Sequence, residues 1–155
     1  MAPGDADVLN NIGTLFYAQN NHSDAIVHYL KALEICPQDG EVLCNLGNAL
    51  VKARNLEYAW LAFEEALRLE PENRDFIEQY MVCLLKVKNF EKFDRMLSSL
   101  AFLDSAAKKR FEDLGSQFKR AADKDAIKLG SDHPTGRASV VRRNSVRQAI
   151  ASHRL

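Results

Sequence analysis

The stretch Gly40–Asn73, GEVLCNLGNALVKARNLEYAWLAFEEALRLEPEN, decides the fold. Leu43, Leu46 and Leu50 stand three and four residues apart, and Ala59, Phe63 and Ala66 four and three apart. Each set lines one face of a helix, so the stretch predicts two amphipathic helices, A and B. Arg54-Asn55 separates them and Pro71 ends the second, because proline cannot continue a helix.

Moving the template back by 34 residues sets Leu9, Ile12, Gly13, Phe16, Ala25, Tyr29, Ala32 and Pro37 on Leu43, Leu46, Gly47, Leu50, Ala59, Phe63, Ala66 and Pro71. All eight pairs agree in size and polarity. A period of 34, with small residues where the helices cross and a proline near the end, resembles the tetratricopeptide repeat (TPR) family. Gly13, Gly47, Ala25 and Ala59 are expected to let helices A and B approach closely. Moving forward by 34 gives Ile77, Tyr80, Met81, Leu84, Phe93, Leu97, Leu100 and Ser105, which keep the apolar pattern without the small residues or the proline. A further step gives Phe111, Leu114, Gly115 and Phe118, a helix A pattern with Gly130 and Pro134 where its helix B would follow.

The resemblance implies an all-α fold: a right-handed α-α superhelix of three TPR helix pairs plus a C-terminal capping helix. The expected divisions are a lead at 1–5, TPR 1 at 6–39, TPR 2 at 40–73, a degenerate TPR 3 at 74–107, a capping half repeat at 108–130 and a basic flexible tail at 131–155. Helices are expected near 6–18, 23–36, 40–52, 57–69, 74–87, 91–102 and 105–128. Asp5, Asp39 and Asn73 recur at the 34-residue period as expected N-caps of helices A. Asn21, Asn55 and Asn89 recur between A and B, where asparagine's tolerance of the left-handed conformation is expected to serve the turn in place of the family's glycine one residue earlier. Phe111, Leu114, Phe118, Ala121 and Ala122 are expected on one face of the last helix, covering the end of the third repeat.

The composition, 46% hydrophobic and 27% charged, is that of an ordinary globular chain. No apolar run approaches the roughly 20 residues of a membrane span, and the N-terminus lacks the marks of a secretion signal, so a cytoplasmic location is expected. Cys36, Cys44 and Cys83 form no CxxC pair and are expected to be reduced thiols, with Cys44 on a face where a reactive thiol is conceivable. Net charge is zero, but residues up to Asp104 carry 9 Lys and Arg against 16 Asp and Glu, whereas Ser105–Leu155 carries 12 against 5. An acidic body and a basic appendage follow.

Nothing in the chain points to catalysis, a metal or a cofactor. It has no phosphate-binding glycine loop, nucleophile elbow or ligand spacing, and His28 is expected to be a solvated helix residue. Function is sought on the concave side of helices A. Asn11, Asn45 and Gln79 recur there as a row of amides that can bind the backbone of an extended peptide, much as the asparagine ladder of superhelical TPR arrays does. Asp7, Glu41 and Asp75 form an acidic row that would favour a basic ligand, and Thr14 and Asn48 complete the candidate face.

A second branch of the family binds the acidic tails of chaperones through lysine, asparagine, asparagine, lysine and arginine. Those positions here hold Asn10, Thr14, Asn45, Asp75 and Gln79, and only Asn45 agrees, which argues against a chaperone-tail adaptor. In the tail, Arg142-Arg143-Asn144-Ser145 resembles a basophilic kinase site: Ser145 is the expected phosphorylation site, Arg142 and Arg143 are its recognition residues, and Arg137-Ala138-Ser139 is a weaker copy. The resulting expectation is a non-catalytic scaffold or adaptor binding an extended peptide, regulated by its tail, which could occupy the acidic face. Two rivals are an assembly subunit, either part of a larger array or a homo-oligomer, and a nucleic-acid or anionic-membrane binder acting through residues 105–155. The capping phase of the last helix disfavours this second rival.

Overall fold

The computed structural model describes residues 3–100 and 104–128. Seven helices follow one another: α1 (Pro3–Ala18), α2 (His22–Ile35), α3 (Gly40–Lys52), α4 (Leu56–Leu69), α5 (Arg74–Lys86), α6 (Phe90–Ser99) and α7 (Ser105–Lys128). No strand occurs among the described residues. The all-α class expected from the periodicity holds. The helices fall into two compact units, one running to Cys83 and holding α1–α4 and most of α5, the other beginning at Leu84 and holding α6 and α7.

In the first unit, α1 packs on α2, α3 on α4, and α2 on α3. The small-residue crossings have a specific form. A Cβ on Gly13 would lie 2.7 Å from Cε1 of Tyr29, and one on Gly47 would lie 2.6 Å from Cε1 of Phe63. Real side chains do not approach so closely, so each aromatic ring of helix B occupies the space that a side chain on helix A would take. Tyr29 and Phe63 are 2% and 1% exposed, and Ala25 and Ala59 not at all. Burying one such aromatic side chain contributes roughly 1.5–3 kcal/mol. Leu33, Leu43, Leu46, Leu50, Ile77 and Met81 fill the rest of this core.

In the second unit, Phe93 stands where the first two repeats have Ala25 and Ala59, and its ring meets a glycine of α7. A Cβ on Gly115 would lie 2.7 Å from Cε1 of Phe93. Phe111 is buried, Leu114, Phe118 and Ala122 are half-buried, and Lys119 pairs with Asp94 of α6 at 2.7 Å. Ala121, expected on the same stripe, is exposed, because four residues from Leu114 to Phe118 and four more to Ala122 turn it outward.

The ends of the A helices share one device. Asn20, Arg54 and Lys88 have φ of 60°, 61° and 58°. The N–H of each donates to the carbonyl three residues back (Tyr17, Val51, Leu85), and the N–H of the following asparagine donates five back, to Phe16, Leu50 and Leu84, at 2.8–2.9 Å. This is a Schellman closure with a left-handed residue at its end. The turn therefore corrects the expectation for Asn21, Asn55 and Asn89: their φ values are −86°, −94° and −87°, and the left-handed residue lies one position earlier. Asn21 and Asn89 instead cap helix B, accepting from the N–H of Asp24 at 3.4 Å and of Lys92 at 3.2 Å, whereas Asn55 makes no side-chain cap bond.

Asp39 caps α3 through the Val42 N–H at 3.0 Å, and Asn73 caps α5 through Asp75 and Phe76. Asp5 does not cap α1, because that helix begins at Pro3 and Asp5 falls in its first turn. Proline at the first helical position is pre-set for helical φ, which explains the earlier start. Helices α2 and α4 stop at Ile35 and Leu69 because Cys36 and Glu70 precede Pro37 and Pro71, and a residue before proline is pushed out of the helical region.

Arg54 occupies a left-handed position without glycine's freedom. Arg54→Gly is therefore expected to raise unfolding stability by about 0.5–1 kcal/mol, and Arg54→Val to lower it by about 1 kcal/mol or more. Urea denaturation of the two variants checks both signs.

Candidate functional site

Glycine at positions 13 and 47 turns one side of α1 and α3 toward the rings of helix B, leaving polar positions on the other sides. Asp7, Asn11 and Thr14 of α1 are exposed, as are Glu41 of α3 and Asp75 of α5, while Asn45, Asn48 and Gln79 are half-buried. All eight lie in the first unit.

Two of the A helices are joined by their amides. Nδ2 of Asn45 donates to Oδ1 of Asn10 at 3.1 Å. Asn11 of the expected row lies one residue further round α1 and is exposed. Asn10 is thus a member of this polar seam that the period of 34 does not reveal, because its counterpart at that period is Cys44. The bond holds the Asn45 amide in one orientation and leaves its carbonyl oxygen able to accept. Thr14 is tied inward: its hydroxyl donates to the Asn10 carbonyl at 3.0 Å and lies 3.2 Å from the Tyr29 hydroxyl. Burial raises the Tyr29 phenol above its usual value, with the Thr14 hydrogen bond opposing. Further along, Nε1 of Trp60 donates to the Tyr80 hydroxyl at 3.4 Å, tying α4 to α5.

Beside Asn45 lies Cys44, 6% exposed. Burial pushes its thiol up to about 12, and the carboxylates of Asp75 and Glu41 add to the rise because a thiolate beside them would be repelled. Two consequences follow. Cys44 is not the reactive thiol that its place in the sequence allowed, since the nucleophilic thiolate is suppressed. Furthermore, Glu41 of α3 and Asp75 of α5 both lie within electrostatic reach of this sulfur. Glu41 and Asp75 also sit in the first turns of their helices, where a carboxylate offsets the positive helix end. Asp7 does not share that role, because α1 starts four residues before it.

His28 differs from expectation. It is half-buried, its Nδ1 lies 2.8 Å from the Asp24 carbonyl oxygen, and its ring lies 5.1 Å from that of Phe16. It is a packing residue between α1 and α2. Glu65 is paired with Arg68 at 2.7 Å on the surface of α4. Ser145, Arg142 and Arg143 lie outside the described residues.

Residues 13–53 match a family model described as a TPR repeat. Over this stretch the chain is similar to tetratricopeptide repeats. The TPR domain of Sgt2 from Aspergillus fumigatus superposes with a TM-score of 0.63 at 20% identity, covering 86% of this chain and 91% of that one. The first TPR domain of human RPAP3 gives 0.66 at 17% identity, covering 79% of this chain and 98% of that one. The first TPR of Spaghetti (RPAP3), bound to the HSP90 peptide SRMEEVD, gives 0.63 at 15% identity over 79% and 99%. At these identities the likeness is one of fold. No curated protein matches the chain. No helix among the described residues is long and apolar enough to cross a membrane.

The raised Cys44 thiol links stability to pH. Below pH 9 both states hold the proton. Between pH 9 and about 12 the unfolded chain has released it and the native first unit has not, so the native state binds more protons and loses stability as pH rises. The stability difference between the wild type and Cys44→Ala is expected to shift against the wild type by about 1.4 kcal/mol between pH 8 and pH 10. Denaturant titrations of both proteins at the two pH values measure it, and a constant difference contradicts the assignment.

Proposed function

We propose that this protein is a non-catalytic, tetratricopeptide-repeat adaptor whose first unit binds an extended, basic peptide segment of a partner along α1, α3 and the first part of α5. The observation that carries the reading is the Asn10–Asn45 amide bond between α1 and α3, on helices that also expose Asp7 and Glu41, with Asp75 exposed on α5. Carboxylates from successive helices supply attraction for lysine or arginine, and side-chain amides supply paired donors and acceptors for a peptide backbone. Asp7 and Asn11 extend both features along α1. The eight candidate residues are Asp7, Asn11, Thr14, Glu41, Asn45, Asn48, Asp75 and Gln79, to which the geometry adds Asn10.

The HSP90 peptide held by the Spaghetti domain carries two glutamates and an aspartate. Of the five positions through which the chaperone-tail branch grips such a ligand, Asp75 stands at one where that branch has a lysine, and no position has a cation. The charge at these positions therefore favours a ligand of the opposite sign. Reduced thiols and the composition agree with an adaptor in the cytoplasm, and the arginines before Ser145 make it the residue on which a basophilic kinase would act.

The test is fluorescence polarisation of two labelled peptides at low salt: an extended peptide with arginine at alternate positions, and SRMEEVD. The arginine peptide is expected to bind the wild type more tightly. Removing both charges by Glu41→Gln with Asp75→Asn is expected to weaken it by about 3- to 30-fold, since each exposed charge pair is worth about 0.3–1 kcal/mol. Tighter binding of SRMEEVD, or no change in the double variant, contradicts the proposal.

A further inference from the structure

The largest exposed apolar side chains of the first unit lie at the open end of its helix stack. Val8 and Leu15 of α1 are 57% and 63% exposed, and Val27 of α2 is 40% exposed. Each has a counterpart 34 residues on, and Val42, Ala49 and Leu61 are 1%, 0% and 7% exposed. Identical places in the repeat are thus covered in the second pair, where α3 packs on α2, and uncovered in the first. Asn11 shows the same contrast: it is exposed between Val8 and Leu15, whereas Asn45, between Val42 and Ala49, donates to Asn10 of the neighbouring helix. The face of α1 and α2 therefore has the shape and chemistry of a seat for one more amphipathic helix, with a hydrogen-bond acceptor for Asn11.

Charge selects the occupant. Helices α1 and α2 carry Asp5, Asp7, Asp24 and Glu34 against Lys31. A second copy offering the same face would bring like charge to like charge. Residues 137–155 carry Arg137, Arg142, Arg143, Arg147 and Arg154 and no acid. Within them Ala149 and Ile150 stand three and four residues from Val146, the spacing of one helix face, with Arg142 four residues before Val146 at the N-terminal end of that face and Arg143 and Arg147 along one edge. From Lys128 to Val146 is 18 residues, a reach of about 60 Å when extended, enough to pass several helices of about 10 Å diameter.

We infer that residues 140–151 of this chain dock as a basic amphipathic helix on the exposed apolar face formed by Val8, Leu15 and Val27, an autologous cover for the open end of the repeat stack. This seat does not include Glu41, Asn45 or Gln79 but shares Asn11 with the proposed peptide face, so a docked tail would compete with the peptide only where that face reaches along α1. Phosphate on Ser145 would sit beside Asp and Glu of α1 and α2 and loosen the docked segment.

Methyl and amide NMR of the full-length protein tests this, comparing the wild type with Val146→Asp/Ile150→Asp and with Ser145→Glu, each checked for mass by sedimentation. The double variant is expected to shift the Val8, Leu15 and Val27 methyls and the Asn11 side-chain amide, leaving Leu46 and Leu50 in place, and Ser145→Glu to produce part of the same change, all with the protein monomeric. Unmoved Val8, Leu15 and Val27 methyls in the double variant overturn the inference. So do shifts centred instead on Glu41, Asn45 and Gln79, which would place the tail on the acidic face. A wild-type dimer that the double variant dissociates overturns it in favour of docking between copies.

Discussion

The fold depends on a steric exchange in which a glycine on helix A gives up its side chain so that an aromatic ring on helix B can take the space. Tyr29 over Gly13 and Phe63 over Gly47 repeat it 34 residues apart. An aromatic ring in such a seat buries a large apolar area and brings two helix backbones together along a fixed line. Once that line is set, the stripe of A that meets B is determined, and so are the positions left for other use. The second unit uses the same exchange with the partners moved: Phe93, on α6, meets Gly115 on α7. Repeat identity is thus carried by a shape relation, which different residue positions can satisfy.

The candidate site is a by-product of that geometry. With one side of α1 and α3 committed to the rings, the remaining sides carry amides and carboxylates close enough to interact. Asn10 and Asn45 bond across the helices, and Glu41 and Asp75 act on one buried thiol. In the proposed reading the polar face takes an extended ligand, and the uncovered apolar face of α1–α2, with its acidic surround, takes the tail. A scaffold built from repeated pairs acquires both because stacking buries a given position in one repeat and exposes it in the first.

Most of the fold was legible because its signals are local and periodic. The eight matched positions, the prolines at 37 and 71 and the caps at Asp39 and Asn73 read directly as helix pairs, and helix boundaries agree within about three residues. What escaped depends on geometry at a finer grain than the period. The left-handed residue at each A–B turn is Asn20, Arg54 or Lys88, and nothing in an arginine or lysine marks it for positive φ; the Schellman bonds impose it. The start of α1 at Pro3 displaced Asp5 from its cap. In the site, residue types were readable but partners were not: Asn45 bonds Asn10, which stands one position, or about 100° around the helix, from Asn11 of the expected row. The suppression of Cys44 could not be read either, because burial and the approach of Asp75 are tertiary.

The most direct measurement of the central claim is a double-mutant cycle between Gly47 and Phe63, read as unfolding free energies. In the wild-type background Gly47→Ala sets a methyl into the ring's space and is expected to cost about 1–3 kcal/mol. In a Phe63→Leu background the ring is gone, and the same change is expected to be neutral or to gain up to about 1 kcal/mol from alanine's helix propensity. A coupling energy of about 1 kcal/mol or more between the two sites is the predicted result. Additive effects, with Gly47→Ala costing the same in both backgrounds, would contradict the account, because glycine would then serve some purpose other than seating the ring.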